Sequence, residues 1–435
     1  MTLNMGAHLE PQLRRLVGRI DDPQVVADLV LHRLAEKVRL YKNLGLYAWD
    51  GTNWQVVIKG PIGKWTREMS RVFVQAYLLP EIKEIANLLN ELGFCSESCS
   101  LREQMANEQW VSWVEIWVLW PELMKRKKAP VKKEADKEFV DIIYAHRYLP
   151  VMNGAVNLAN YKIHEYSDLK DVFFPHILKL HYNPLYFSSD FSELVDLWAG
   201  GSMRKREYIK WALGAAFTGA LEDKNVFVLY CKDLEYINLL LQILAFILED
   251  YATQIPHWVI QTPNAITDNL LEQINCKRMV CVLGFPGDGV IDWEVLSWLS
   301  KCGPIGISEK SIHHEDSYYT FSVANWFITT DKMPRIKGDL QDFLARVNIV
   351  PLGKMQPAPK ISPEKFYKAL LEARLGVLSS VLDGAVAYLR SIYSQSHKII
   401  VPDDVEKVRN MWKEENKKPL PTRKGQTHNK KPTVI

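Results

Sequence analysis

The sequence predicts a mixed α and α/β fold. It comprises a helical N-terminal region, a small α+β module, an α/β domain with a mostly parallel sheet, and a helical C-terminal region. Three observations carry this. Apolar residues recur at helical spacing over 10–45 and again beyond 362. From 225 to 352, short β-branched runs alternate with longer helical segments, the pattern of a parallel sheet flanked by helices. Between 147 and 187, aromatics and turn formers replace both patterns.

The first stretch sets Leu13, Leu16, Val17 and Ile20, then Val25, Val26, Leu29, Val30 and Leu34, on helical faces. Tyr47-Ala48-Trp49, a turn at Asp50-Gly51 and Trp54–Ile58 read as a hairpin. Helices are expected over 66–92 and 101–123. The second carries Trp110, Trp113, Trp117 and Trp120 on one stripe, suited to core or interface packing or, alternatively, to stacking on bases. Lysine-rich 125–133 reads as an exposed linker. Short strands and loops follow over 147–187, then a helix over 204–221. Expected strands are 225–230, 256–261, 278–283, 318–329 and 346–351. Expected helices are 235–249, 264–274, 292–300 and 338–345. Residues 362–416 are helical, with Pro402 opening the last helix, and 417–435 reads as a disordered tail. The resulting domains are 1–135, 136–203, 204–355, 356–416 and the basic tail 417–435.

Of 435 residues, 47% are hydrophobic and 24% charged, ordinary for a globular chain with sizeable cores. A net charge of +3 does not by itself mark a nucleic-acid binder, but the cations are uneven. They cluster at Lys125–Lys128 with Lys132 and Lys133, and in the tail at Lys417, Lys418, Arg423, Lys424, Lys430 and Lys431, with no acid after Glu415. Such clusters can follow a phosphate backbone or simply solubilise. Arg204-Lys205-Arg206 is a weaker third cluster. No apolar run reaches the length of a membrane span and no signal core opens the chain, so an intracellular, cytoplasmic setting is expected. Cys95 and Cys99 share a helix face without a second pair at ligand spacing. No metal site is expected, and the six cysteines read as thiols of a reducing compartment.

Several segments, in order, resemble the poxvirus-type helicase–primases of viruses, phages and plasmids. Tyr47-Ala48-Trp49-Asp50-Gly51-Thr52-Asn53-Trp54 looks like that family's aromatic-Asp-Gly-X-X-Trp signature. Pro150–Leu158 resembles its Asn-Gly-X-X-Asp-Leu motif, with Asn157 in place of Asp, and His181-Tyr182-Asn183-Pro184 matches the Tyr-Asp/Asn-Pro that follows. Thr330-Asp331-Lys332-Met333-Pro334 resembles the end of a sensor 1 strand, and Asp342–Pro351 an arginine-finger strand. Gly376–Tyr393 and Val401–Trp412 look like the family's C-terminal helices. The resemblance covers roughly 40–412. It implies an AAA+-like superfamily 3 helicase domain, assembly into a homo- or hetero-oligomeric, hexameric ring, and single-stranded or forked DNA as the partner.

The nucleotide motifs depart from that pattern. The family's Gly-X-Gly-X-Asn-Gly-Lys-Ser falls on Cys231 through Asn238, so its glycines become Cys231, Asp233 and Tyr236, its lysine Ile237 and its serine Asn238. Gly284-Phe285-Pro286 stands where the acidic Walker B residue should end a strand. Glycines let backbone N–H groups converge on phosphate, and the lysine and hydroxyl hold phosphate charge and Mg²⁺. Here Tyr236 and Ile237 are expected to fill the pocket with apolar bulk, while Asp233 and Glu235 repel phosphate. Gly284, Gly287 and Gly289 are expected to be turn chemistry.

The resemblance therefore implies a helicase-like pseudo-ATPase that binds no cofactor. It would be a DNA-binding, ring-forming or scaffold component in replication or another DNA transaction of a virus, plasmid or mobile element. A separate primase or active helicase subunit is an implied partner. Arg346 is the candidate arginine finger, the plainer reading being a salt-bridged residue at a strand start; Asp331 is the sensor-like residue. Lys310, His313 and His314 lie where the family has a DNA-contacting hairpin. With Lys417, Lys418, Arg423 and Lys424 they form the candidate nucleic-acid set. Two alternatives stay open. One is an active ATP- and Mg²⁺-dependent helicase with a non-standard site. The other is a protein-interaction module that leaves nucleic acid alone.

Overall fold

The computed structural model describes residues 29–30, 33–34, 37–41, 44–50, 54–59, 72, 74–105, 142–222, 224–308, 317–353, 362–394 and 398–417. The expected helix with Trp110–Trp120, the linker 125–133, Lys310, His313, His314 and the tail from Lys418 lie outside them. The chain is built of two compact units. The first combines 1–145, 164–175 and 303–321; the second combines 146–163, 176–302 and 322–435.

In the first unit, β1 (Val38–Tyr41), β2 (Gly45–Trp49) and β3 (Trp54–Lys59) form an antiparallel meander. The expected β2–β3 hairpin is present. Residues 38–41, expected to be helical, are a strand instead, because Tyr41 and Tyr47 close on Phe173 at 4.3 and 4.5 Å. Arg39 lies 4.4 Å above the Trp54 ring and, like the Trp54 indole, donates to Lys170 O. Helix α1 (Leu79–Glu91) follows a π turn and buries Ile82, Ile85, Ala86 and Leu89. Its Glu81 is taken from water, which raises its pKa, but ion pairs with Lys37 and Arg33 outweigh this and hold the carboxyl below its ordinary value. Helix α2 (Cys95–Met105) is tied to α1 by Ser98, whose hydroxyl donates to Ala86 O.

The second unit opens with β4 (Tyr148–Val151), β5 (Gly154–Asn157) and the two-residue β6 (Ile163–His164). Asn153 fixes the β4–β5 turn by exchanging two hydrogen bonds with the Tyr182 backbone. Helix α3 (Ser189–Ala199) is capped by the Ser188 hydroxyl and ends on Gly200, whose φ of 58° suits glycine. Helix α4 (Met203–Thr218) is capped by Ser202.

The sheet of this unit is five-stranded and parallel. Its strands are β7 (Val226–Tyr230), β8 (Ala252–Gln254), β9 (Met279–Phe285), β13 (Asn325–Thr330) and β15 (Val347–Pro351), in the order β15-β7-β13-β9-β8. β13 and β15 are buried at every residue, as expected for strands covered on both faces. Each of the three central strands starts at, or one residue after, a buried polar residue whose side chain bonds backbone carbonyls distant in sequence. Asn225 donates to Ser300 O and Ala324 O, Asn325 to Ala215 O, and Arg278 to Phe217 O and Tyr148 O. Helix α5 (Leu234–Leu248) links β7 to β8. Helices α6 (Asp268–Ile274), α7 (Trp293–Leu299) and α8 (Leu340–Arg346) match expected helices to within a few residues.

Two expected strands are corrected. Residues 256–261 are a 3-10 turn over His257–Ile260, because Pro256 ends the short edge strand β8. The run 318–329 is two strands. β12 (Ser317–Ser322) pairs with β11 (Gly303–Ser308), and β13 starts afresh at Asn325. β10 (Val290–Asp292) and β14 (Arg335–Lys337) form a separate two-stranded parallel ribbon.

The C-terminal region is helical as expected: α9 (Pro363–Glu372), α10 (Arg374–Tyr393) and α11 (Asp403–Lys417), the last beginning just after Pro402. By length and composition α10 could cross a membrane, but 61% of its apolar window is buried here. It crosses α4 at backbone contact. A Cβ on Gly214 would overlap Gly384 and Ala385, and one on Gly384 would overlap the Lys210 carbonyl.

Candidate functional site

In an open parallel sheet, ligands sit at the carboxyl ends of the strands, where the order of connections reverses. Here the chain runs from β7 across to the β8 edge, returns strand by strand to β13, then passes β7 to form β15. The reversal places the candidate site at the carboxyl ends of β7 and β13. Four segments meet the sheet there: Cys231–Asp233, Pro286–Gly289, Asp331–Pro334 and Leu352–Gly353.

The β7–α5 junction is only three residues long. β7 ends at Tyr230 and α5 begins at Leu234. A P-loop needs a longer glycine-rich turn before its helix. The residues aligned with the last loop positions, Leu234 to Tyr236, instead form the first turn of α5. Cys231 is buried, its N–H donating to Thr330 O and its thiol reaching Asp233 O at 3.5 Å. Burial pushes that thiol up to about 11. Asp233 stands at the helix N-cap without a side-chain capping bond.

Ile237, in the lysine position, is fully buried in the core. Tyr236 does not fill the crevice as expected. It turns to α9 and meets Phe366 edge-on at 5.4 Å, because in the first turn of α5 Ile237 takes the core-facing position and Tyr236 is left on the α9 side.

Asn238, Gly284 and Thr329 meet in one hydrogen-bonded chain. The Gly284 N–H donates to Thr329 Oγ1 at 2.7 Å, and that hydroxyl donates to Asn238 Oδ1 at 2.6 Å. The β9–β13 register shifts at this point, and Gly284 has a φ of 64°. An acidic residue at position 284 would be strained in that left-handed bulge, whereas glycine adopts it at little cost. Thus the Asn238 side-chain oxygen and the Gly284 N–H are both satisfied through Thr329. Sequence reasoning did not single out Thr329; its only signal was a hydroxyl pair ending an apolar strand.

The neighbouring glycines do turn chemistry. Gly289 closes a turn onto Pro286 O, and Gly287 leaves room for the stem of Lys332. Asp331 lies at the carboxyl end of β13, next to Lys332, whose backbone carbonyl accepts from the Thr330 hydroxyl.

Arg346 is the last residue of α8 rather than the start of a strand. Its guanidinium lies 5.1 Å over the Trp293 ring and 3.9 Å from Asp342, which also accepts from the Trp293 indole at 2.7 Å. Phe343 links this cluster to Trp412 of α11, whose indole donates to Pro334 O. Lys417 ends α11. Among the described residues no group of three or more His, Cys, Asp or Glu side chains could hold a metal ion.

No protein-family model matches the chain. No curated protein matches it. Among solved structures, two A-form apo structures of the NrS-1 C-terminal region resemble it at TM-score 0.38, with 11% and 10% identity over 53% and 54% of this chain. Another apo structure of that region gives TM-score 0.34 and 12% identity over 54% of this chain. The chain matches 52%, 52% and 64% of those structures' own lengths. At these TM-scores the likeness carries no argument about activity.

Proposed function

We propose that this chain is a helicase-like pseudo-ATPase serving as a DNA-binding, ring-forming or scaffold component in replication or a related DNA transaction. The observation that carries the reading is the three-residue, glycine-free β7–α5 junction at the switch point of the sheet. A parallel sheet whose first strand is central and feeds directly into a helix is the setting of a P-loop. Here the setting remains while the loop, its lysine and the acidic partner are replaced. The Asn238–Thr329–Gly284 chain supports the same reading, since it engages Asn238 Oδ1 and Thr329 Oγ1 in hydrogen bonds within the protein. DNA enters through the ordered sequence resemblance and the basic segments.

The test is nucleotide binding and turnover by the purified protein, with and without single-stranded DNA. The expected result is neither binding of a fluorescent ATP analogue nor hydrolysis. DNA-stimulated turnover would overturn the reading. DNA affinity is measured in parallel at low and high salt. Binding that weakens steeply with salt is expected, because phosphate contacts release counterions. No affinity at low salt would favour a protein-interaction module.

A further inference from the structure

Helix α2 carries two thiols on one exposed face. Cys95 and Cys99 are four residues apart, and both are exposed. A different face of the helix meets the core. Leu101 is fully buried there, and the Ser98 hydroxyl donates to Ala86 O of α1 at 2.7 Å. Arg102 adds a bond to the Asn87 side chain at 2.7 Å. The helix is therefore held with residues 95 and 99 turned to solvent. The other four cysteines are less open. Cys231, Cys276 and Cys281 are buried, and Cys302 is half-buried, its thiol reaching Ala220 O at 3.5 Å. Burial pushes the Cys231 thiol up to about 11 and raises that of Cys281 as well, so neither supplies thiolate near neutral pH. Accessible thiol chemistry thus concentrates on α2.

The spacing selects what the pair can hold. On a helix, residues four apart have Cβ atoms about 5–6 Å from each other. A disulfide needs about 3.8 Å, so it would require the first turn of α2 to open. A single soft atom bonded at about 2.3 Å to each sulfur spans the gap without moving the backbone. Among the described residues no third His, Cys, Asp or Glu joins the pair to hold a metal ion. A structural zinc ion takes four protein ligands, which the pair does not offer. A centre with two open valences needs only these two.

We propose that Cys95 and Cys99 form a two-thiol site for a soft, thiol-seeking centre with two open valences, a monosubstituted trivalent arsenical being the type. In the reaction with an arsine oxide, R–As=O, two As–S bonds form. The oxygen leaves as water with the two thiol protons, and arsenic stays trivalent. Two sulfurs held on one helix face make the second bond intramolecular, so the adduct resists exchange with a monothiol and yields to a dithiol.

The test reduces the full chain with a phosphine, treats it with an equimolar amount of phenylarsine oxide, and washes it with excess mercaptoethanol. The adduct is read by intact mass and peptide mapping. The expected result is a single phenylarsenic per chain on the tryptic peptide Glu84–Arg102, released by ethanedithiol. Retention should fall at least tenfold in Cys95→Ser and in Cys99→Ser. It should fall as far when Cys99→Ser is combined with Glu97→Cys, because thiols two residues apart do not face each other on a helix. Equal retention by that shifted pair would overturn the proposal, since it would show two thiols on a pliable stretch rather than a helical site. Retention unchanged in either single variant, or an adduct joining two chains, would also overturn it. So would a Cys95–Cys99 disulfide formed by diamide with helix content intact.

Discussion

Gly384→Ala is the sharpest probe of how the second unit is held together. In a helix interior alanine is favoured over glycine by about 1 kcal/mol, so an unconstrained site would gain stability. At Gly384 the added methyl would lie under 3.0 Å from the Lys210 carbonyl, a backbone atom that cannot swing away. Relief requires α4 and α10 to separate. The Trp211–Tyr388 ring contact at 5.4 Å and the hydrogen bond from the Trp211 indole to Ser391 join the same two helices and would loosen with them. Overpacking of this kind costs about 1–3 kcal/mol beyond the propensity gain, so a net loss of about 2 kcal/mol is expected. Urea denaturation followed by tryptophan fluorescence reads it as a lower midpoint. Gly214→Ala faces Gly384 and Ala385 and should behave alike. Because one separation accommodates both methyls, the double variant should lose less than the sum of the singles. A Gly384→Ala protein as stable as the parent, or more stable, would show that the helices do not meet at backbone distance.

Two further outcomes follow from buried polar groups. His146 is fully buried beside Arg278, and desolvation, then that charge, holds its pKa well below the ordinary value. The unfolded chain therefore binds a proton that the folded chain refuses. The associated stability is complete above about pH 6.5 and falls by about 1.4 kcal/mol per pH unit below it, until the folded group titrates. In His146→Gln that acid-side slope should diminish, as read by denaturation at pH 7.5, 6 and 5; an unchanged slope would refute the assignment. Thr329→Val removes the hydroxyl shared by Gly284 and Asn238 and should cost about 1–3 kcal/mol, and Mg-ATP should raise the melting temperature of neither the parent nor the variant.

Periodicity made most elements readable, because a buried parallel strand and a long apolar helix each leave a run of one kind. β7 was visible as the expected strand 225–230, β13 within 318–329, and α5 as the expected helix 235–249. Residues 256–261 misled because Val259 and Ile260 are apolar for a reason other than strand pairing: they are buried from a 3-10 turn. The boundary at 322–325 was hidden since β12 and β13 are both aromatic-rich, and only the Asn325 bond to Ala215 O marks a new start. At the site, the absence of glycine and lysine from the junction was legible residue by residue, and so was the start of α5, expected at 235 and found at Leu234. The direction of Tyr236 was not, because it is set by tertiary packing, the burial of Ile237 and the Tyr236–Phe366 contact.

The site's geometry also bears on how readily nucleotide chemistry could be built there. A lysine at position 237 would place an ammonium where Ile237 is fully enclosed, and an acid at position 284 would be forced into a left-handed bulge. Neither replacement lengthens the three-residue junction, so no backbone N–H would converge on a phosphate. The substitutions are thus coupled through the backbone: the short junction sets where α5 begins, α5 turns residue 237 inward, and Asn238 then faces Thr329 and Gly284. A nucleotide site at this crevice would require the loop and the helix start to be rebuilt together. For that reason the proposed role is tied to the surfaces of the fold rather than to the crevice at the carboxyl ends of β7 and β13.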